Sequence, residues 1–210
     1  MGPSHWWAEW ALPRLTDLTL AQPPVRRLRA ETTRGMAGEV LEIGFGSGPN
    51  LPFYPDEVVT VAAVEPSHGA WRLSQARRER SALPVERVGL DGQRLPVPDA
   101  AYDGALSTFT LCTSPDPAQA LSEVRRALRP GAALHFLEHG RAPEPGVRRW
   151  QRRLDPVQRR VAGGCHLSRD VPALLVEAGF EVESLETGYP LGNGPMRPWG
   201  HLFWGRAVAR

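Results

Sequence analysis

Three glycines, Gly44, Gly46 and Gly48, alternate with other residues directly after a short apolar run at residues 40–43. Glycine at such positions lets the backbone turn tightly and lets a ligand approach the main chain without meeting a Cβ atom. A buried strand that leads into a loop of this kind is typical of sheets that bind ligands beyond the carboxyl ends of their strands. The stretch therefore favours folds in which a small ligand lies against a strand-to-loop junction.

Apolar, β-branched runs alternate with amphipathic segments along most of the chain. The predicted strands cover residues 40–44, 58–65, 84–90, 102–111, 132–139, 181–187 and 201–210. The predicted helices cover residues 67–80, 116–129 and 168–180, with another helix starting near Asn50. Strands that alternate with helices specify a mainly parallel sheet with right-handed crossovers. We therefore predict an α/β fold with a doubly wound, mainly parallel seven-stranded sheet.

Two segments lie outside this alternation. Residues 5–20 carry Trp6, Trp7 and Trp10 at helical spacing, and Pro13 divides the segment into two predicted short helices. Residues 140–167 are rich in arginine, with an apolar stripe on one helical face, and predict a helical insertion after the fifth strand that lies over the site. The chain has no internal repeat or linker, so we expect one domain over residues 1–210, with an N-terminal helical cap over 1–34.

Composition excludes several classes of protein. The formal net charge is only +2, which gives no global basic field and disfavours nucleic acid as a partner. Cys112 and Cys165 are too few for a disulfide framework or a zinc site, so we predict no metal and a reducing environment. Since no stretch approaches about 20 apolar residues, we expect a cytoplasmic protein.

The spacing of the glycines helps to identify the ligand. A dinucleotide fingerprint requires G-x-G-x-x-G, whereas this chain has G-x-G-x-G, which argues against NAD. With Glu42 in front, the stretch resembles the E/D-x-G-x-G-x-G pattern of class I methyltransferases, which bind S-adenosylmethionine. Glu65, at the end of the second predicted strand, can accept both ribose hydroxyls of an adenosine. Residues 89–103 resemble the family's loop after the third strand, which implies that Asp91 binds the adenine amino group.

The resemblance implies a Rossmann-like fold and S-adenosylmethionine as the cofactor. It implies cofactor-binding roles at four successive strand ends, for Glu42, Gly44, Phe45, Gly46, Gly48, Asn50, Glu65, Pro66, Ser67, Asp91, Gly92, Gln93, Ser107 and Thr108.

Longer stretches of sequence indicate which branch of the methyltransferases the chain resembles. Residues 106–140 resemble the ubiquinone/menaquinone-type branch of these methyltransferases. The stretches "VLEIGFGSGPNLPFYP", "TLCTSPDP", "FLEH" and "LDPVQRRVAGGCHLSRD" resemble more closely the thiol S-methyltransferases of the methyltransferase-like group seven and their bacterial relatives. The similarity covers residues 38–180. The animal members carry a hydrophobic anchor at the N-terminus, and we expect none in this chain.

Methyl transfer requires a base only when the nucleophile is protonated at the working pH. His139, at the end of the fifth predicted strand, is the best placed general base, although a histidine bonded to backbone is the simpler interpretation of that position. His166 is the second candidate. We interpret Cys112 as a small buried hydrophobe, because its motif contains no basic partner.

The sequence says less about the methyl acceptor, the molecule that receives the methyl group, than about the cofactor. A D/N-P-P-Y/F/W tetrapeptide after the fourth strand would indicate nucleobase amines, but this chain has "STFT" there. The tryptophans favour a hydrophobic small molecule, such as a thiol, a phenol or a quinol-type compound, and the Trp-rich N-terminal helix is a candidate for peripheral membrane contact. An NAD(P)-dependent oxidoreductase and a non-catalytic S-adenosylmethionine-binding domain are the alternatives.

Overall fold

A computed structural model describes residues 6–191 and 194–210. Its strands are β1 (Gly38–Ile43), β2 (Val58–Val64), β3 (Val85–Gly89), β4 (Tyr102–Thr108), β5 (Leu128–His139), β6 (Phe180–Gly188) and β7 (Leu202–Ala209). Its α-helices are α1 (Leu12–Thr19), α2 (Pro23–Thr32), α3 (His68–Leu73), α4 (Gln75–Arg80), α5 (Pro117–Ala127), α6 (Pro145–Val161), α7 (Val171–Glu177) and α8 (Arg197–Gly200). The remaining elements are a π-helical turn at Trp7–Ala11 and 3-10 turns at Leu51–Phe53 and Gly194–Met196.

The strands form one sheet in the order β3-β2-β1-β4-β5-β7-β6. Strands β1 to β5 pair in parallel, whereas β7 runs antiparallel between β5 and β6. The predicted doubly wound, mainly parallel seven-stranded sheet is confirmed. The strand order reverses between β1 and β4, and sheets of this kind bind ligands at the reversal, beyond the carboxyl ends of the strands.

Side chains of β1 enter the two cores on opposite faces of the sheet. Leu41 and Ile43 belong to the cluster that contains Leu121 of α5 and Leu175 of α7, whereas Val40 belongs to the cluster on the other face. Each such side chain, when fully buried, contributes roughly 1.5–3 kcal/mol. Burial on both faces explains the continuous apolar runs that mark the central strands.

The prediction of a helix that starts near Asn50 is wrong. The glycine loop is followed by the 3-10 turn at Leu51–Phe53 and then by extended backbone at Tyr54, with φ of −64° and ψ of 135°. Pro55 disfavours helical backbone at Tyr54, because a proline ring restricts the residue before it. The loop therefore leads through a proline-rich turn toward β2.

Two further differences from the predicted bounds concern a helix and a strand. Residues 67–80 form two helices, α3 and α4, separated by Ser74, whose hydroxyl donates to the Trp71 carbonyl at 2.7 Å. Strand β5 begins earlier than predicted, because Leu128 pairs with Tyr102 of β4. Neither difference alters the order of strands and helices.

The N-terminal segment, residues 7–19, docks mainly through polar contacts. The Glu9 carboxylate accepts the Gly69 N–H at 2.6 Å, and Asp17 accepts hydrogen bonds from the Arg77 guanidinium at 2.8 and 3.0 Å. The Trp7 indole donates to the Val161 carbonyl at 3.2 Å, which joins the segment to the end of α6. No helix within the described ranges combines the length and the hydropathy that a membrane span requires.

Gly69 allows the N-terminal segment to dock, because a Cβ atom at this position would overlap the Glu9 carbonyl. We expect Gly69→Ala to displace residues 7–19 at a cost of about 1–3 kcal/mol while the sheet stays folded. Limited proteolysis should therefore cut residues 12–20 faster than in the parent chain. Gly146→Ala, whose added Cβ meets nothing within 4 Å, is the matched control and should leave cleavage unchanged. Equal cleavage of both variants would contradict this account of docking.

Candidate functional site

A cavity of about 560 Å³ lies where β1, β2, β3 and β4 end. The N-terminal segment forms one side of it, and residues 162–163, just after α6, contribute another part of the wall. The predicted cofactor-binding residues that line the cavity are Gly44, Phe45, Gly46, Glu65, Pro66, Ser67, Asp91, Gly92, Gln93 and Thr108. The structure therefore brings together residues from all four strand ends.

Glu65 directly follows β2 and holds the glycine loop. Its Oε2 accepts the Gly46 N–H at 2.6 Å, and its Oε1 accepts the Ser67 N–H at 2.8 Å. Burial raises the pKa of this carboxyl above its usual range, although the two backbone hydrogen bonds oppose the shift. Each carboxylate oxygen has a second lone pair, so Glu65 can still accept hydroxyl groups of a ligand.

Two glycines of the loop differ in what surrounds them. Gly44 and Gly46 both have left-handed backbone, with φ of 70° and 59°. A Cβ at Gly44 would overlap the Thr110 side chain, whereas a Cβ at Gly46 would find only the Gly44 carbonyl oxygen, at 3.9 Å. Gly44 is needed for packing, and Gly46 leaves room for a ligand. Gly48 does not line the cavity, and a Cβ there would lie 3.1 Å from Leu51.

Asp91 lies in the exposed loop after β3. Its Oδ1 accepts hydrogen bonds from the Gln93 N–H at 2.9 Å and from the Gln93 side-chain amide at 3.0 Å. These bonds hold the pKa of Asp91 below its usual range, the backbone one most strongly. Asp91 is therefore an ionised acceptor at the cavity rim at neutral pH.

Glu42 and Asn50 do not line the cavity and instead form a buried polar network beneath it. Glu42 accepts hydrogen bonds from the Asn50 amide at 2.7 Å and from the Tyr54 hydroxyl at 2.6 Å. Arg29 donates to the Asn50 Oδ1 at 2.6 Å and to the Thr108 hydroxyl at 2.9 Å. Burial raises the pKa of Glu42 to about 7, although its hydrogen-bond partners and Arg29 oppose this. Glu42 and Asn50 thus hold two cavity-lining residues, Arg29 and Thr108, in place.

Arg29, on α2, is a cavity-lining cation that the sequence did not reveal. It is 2% exposed, and its guanidinium lies 5.4 Å from the Phe109 ring centroid. Burial lowers its pKa to about 10, against the opposing effect of Glu42, so it stays charged at neutral pH. Its Nε is buried without a hydrogen-bond partner among the described residues. No sequence signal marks it, because all 25 basic residues are arginine.

Ser107 also lies beneath the cavity, where its hydroxyl donates to Glu138 at 2.7 Å. The same carboxylate accepts the N–H groups of Thr110 and Leu111 at 3.0 Å and of Cys112 at 3.2 Å. Burial raises the pKa of Glu138, and these four hydrogen bonds oppose the shift. One fully buried carboxylate thus fixes the loop after β4, which forms part of the cavity wall.

His139 does not lie where we predicted it, at the cleft. It is buried at the end of β5 and is not among the cavity-lining residues. Its Nδ1 lies 3.7 Å from the Cys165 Sγ, and its Nε2 has no hydrogen-bond partner among the described residues. His139 ends β5, one strand beyond β4, and its imidazole contacts Cys165 rather than the cavity.

Comparisons with known proteins identify the family and the fold. Residues 41–156 match the family described as a methyltransferase domain. Thiol S-methyltransferase TMT1B of Rattus norvegicus is 33% identical over 183 residues, which cover 83% of this chain and 73% of the rat protein. Geranyl diphosphate methyltransferase, solved in complex with S-adenosylmethionine, has a TM-score of 0.70 at 11% identity, covering 88% of this chain and 84% of that one. A Thermotoga maritima S-adenosylmethionine-dependent methyltransferase has a TM-score of 0.68 at 22% identity, covering 94% of both.

The two solved structures show the fold, and the family match and the rat relative show the family. None of these proteins is a nicotinamide-dependent oxidoreductase, the alternative that the glycine spacing disfavours. The cavity suits the family's cofactor, since it offers Glu65, a glycine loop open at Gly46 and a buried cation with an unused donor. The chain therefore belongs to the class I methyltransferases, enzymes that use S-adenosylmethionine, and is similar to the thiol S-methyltransferases.

Proposed function

We propose that this enzyme methylates a thiol on a hydrophobic small molecule. The observation that carries the proposal is the set of titratable side chains in the cavity wall. Among the described residues these are Asp17, Arg29, Glu65 and Asp91, with no histidine, cysteine or tyrosine. Asp17 is bound to Arg77, and Glu65 is bound to backbone N–H groups, so neither is an unoccupied base.

A thiol acceptor suits such a cavity because it needs little help to lose its proton. With a pKa near 8.5, about 3% of a thiol is already thiolate at pH 7, whereas a phenol with a pKa near 10 is only about 0.1% ionised. A phenol or quinol therefore gains much more from a general base. The name of the similar rat protein, thiol S-methyltransferase, supports the same acceptor class.

The apolar part of the wall supports a hydrophobic acceptor. Ala8, Leu12 and Leu20 line the cavity from the N-terminal side, and Phe109 and Leu111 line it from the loop after β4. Apolar walls with few polar groups are usual for sites that bind small organic molecules. These side chains also keep water from the nucleophile.

Three polar residues of the cavity wall support a position for the cofactor. S-adenosylmethionine, when bound, would supply a methyl carbon that a nucleophile in line with the sulfonium sulfur attacks, with S-adenosylhomocysteine as the leaving group. We infer that Glu65 accepts the ribose hydroxyls, that Asp91 accepts the adenine amino group and that Arg29 donates to the carboxylate of the methionine portion. The main contribution of the protein is then to hold the two reactants in line. Because the cost of this alignment is met on binding, the activation barrier of the reaction falls.

Exposed apolar side chains on the N-terminal segment support the expected peripheral membrane contact. Trp6 is 59% exposed and Leu18 is 71% exposed. A hydrophobic acceptor dissolved in a lipid surface would reach the enzyme from that side. The contact stays a prediction.

Arg29 can be tested with two ligands that differ only in the amino-acid portion. We expect Arg29→Ala to lower the affinity for S-adenosylhomocysteine by about 1.5–3 kcal/mol, the usual value of a hydrogen bond to a charged group. The affinity for 5′-methylthioadenosine, which lacks the carboxylate, should stay within about twofold. Isothermal titration measures both, with Arg29→Lys as the charge-retaining control. Equal losses for the two ligands would mean that Arg29 supports the fold instead.

Gly46 and Gly35 form a matched pair for testing the ligand's position. Both have left-handed backbone, with φ of 59° and 76°, and a Cβ at Gly35 would meet nothing within 4 Å. Alanine at either position should therefore cost a similar ~1–2 kcal/mol of stability. Only Gly46→Ala should lower the affinity for S-adenosylhomocysteine, by about tenfold or more, because its Cβ faces the ligand. An equal affinity loss in both variants would place the cofactor elsewhere.

The acceptor class can be tested with a panel of thiols, phenols and quinol-type compounds, read by the mass of one added methyl group. We expect hydrophobic thiols to be the best substrates. His139→Ala should lower the rate with a thiol by less than about tenfold, since no general base is required. A preference for phenols, or a loss of about a hundredfold with thiols at unchanged cofactor affinity and melting temperature, would refute the thiol proposal.

A further inference from the structure

Two cysteines and a histidine form a cluster beside the cavity that methyl transfer does not use. The Sγ atoms of Cys112 and Cys165 lie 3.9 Å apart, and the Cys165 Sγ lies 3.7 Å from the His139 Nδ1. Both cysteines are free thiols, and Cys112 is buried whereas Cys165 is partly exposed. Since the sulfurs of a disulfide are about 2.05 Å apart, a small movement would join them.

The main chain holds the two thiols near each other. The His166 N–H donates to the Cys112 carbonyl at 2.8 Å, so the segments that carry the cysteines are hydrogen bonded. Gly164 has a φ of 90°, and a Cβ there would lie only 3.0 Å from the Thr113 carbonyl oxygen. Glycine is what permits this close approach. The proximity of the sulfurs is therefore built into the backbone.

We propose that Cys112 and Cys165 form a reversible disulfide site whose oxidant is a small-molecule disulfide. The residues on either side of Cys112 line the cavity, and so do Ala162 and Gly163, which shortly precede Cys165. The disulfide fastens these two parts of the cavity wall to each other. This inference does not rest on the identity of the methyl acceptor.

The exchange takes two displacements. The Cys165 thiolate attacks one sulfur of the modifier RSSR, the S–S bond breaks, and RS⁻ leaves and takes up a proton. Cys112 then loses its proton, and its sulfur displaces the second RS⁻ from Cys165 as the protein disulfide forms. The two protein thiols lose two electrons and two protons, and the modifier gains them and leaves as two molecules of RSH.

Cys165 is the attacking residue because it is the more exposed thiol and contacts the His139 imidazole. The contact with Cys112 lowers the pKa of Cys165 to about 5, with a further contribution from His139, although burial opposes the shift. The same contact, together with burial, raises the pKa of Cys112. An ionised outer thiol beside a protonated inner thiol is the division of roles that the exchange requires.

The test treats the reduced, folded, full-length chain with 2-hydroxyethyl disulfide and follows its intact mass. We expect loss of the mass of two hydrogen atoms, loss of both thiols toward a maleimide, and a peptide pair that links Cys112 to Cys165. The melting temperature should rise, because a cross-link restricts the unfolded chain. Dithiothreitol should reverse every one of these changes.

Serine variants establish the order of the steps. Cys112→Ser should stop at one mercaptoethanol adduct on Cys165, and Cys165→Ser should stay unmodified over the same time. His139→Gln should slow the first step about tenfold at an unchanged melting temperature. A stable adduct on Cys165 of the parent chain, a disulfide between two chains, or no reaction at all would overturn the proposal.

Discussion

Three buried carboxylates at the strand ends need hydrogen-bond donors. The loops that supply these donors determine the shape of the cavity. Glu42 in β1, Glu65 after β2 and Glu138 in β5 each accept hydrogen bonds from groups in the neighbouring loops. A buried carboxylate without such partners would cost several kcal/mol or would stay protonated. These hydrogen bonds fix the loops through their backbone and polar groups, which lets the loops surround a ligand without filling its space.

Arg29 connects helix α2 to this network of buried polar groups at the strand ends. Its hydrogen bonds to Asn50 and Thr108 bring a cation from α2 close to Glu42, so each buried charge lowers the cost of the other. The arrangement divides the N-terminal region into two parts. Helix α2 has buried residues and belongs to the site, whereas α1 has none and lies over it.

Local patterns in the sequence were sufficient where the determinants are local. The alternation of strands and helices, and the place of Glu65 directly after β2, follow from patterns within short stretches of the chain. The helix expected at Asn50 failed because Pro55 disfavours helical backbone at Tyr54, which outweighs the usual strand-loop-helix order. Arg29 and the pair formed by Cys112 and Cys165 could not be predicted, because their roles arise from contacts between distant elements. The two cysteines are 53 residues apart, and nothing near either one marks the other as its partner.

The weak docking of residues 7–19 has a consequence for turnover. This segment forms one side of the cavity, yet neither α1 nor the turn before it contains a buried residue. Segments with few buried contacts open locally at a small fraction of the free energy of global unfolding. Release of the carboxylate contacts of Glu9 and Asp17 would therefore uncover the cavity while the sheet stays intact. Opening of this segment therefore offers product and spent cofactor a path out of the cavity.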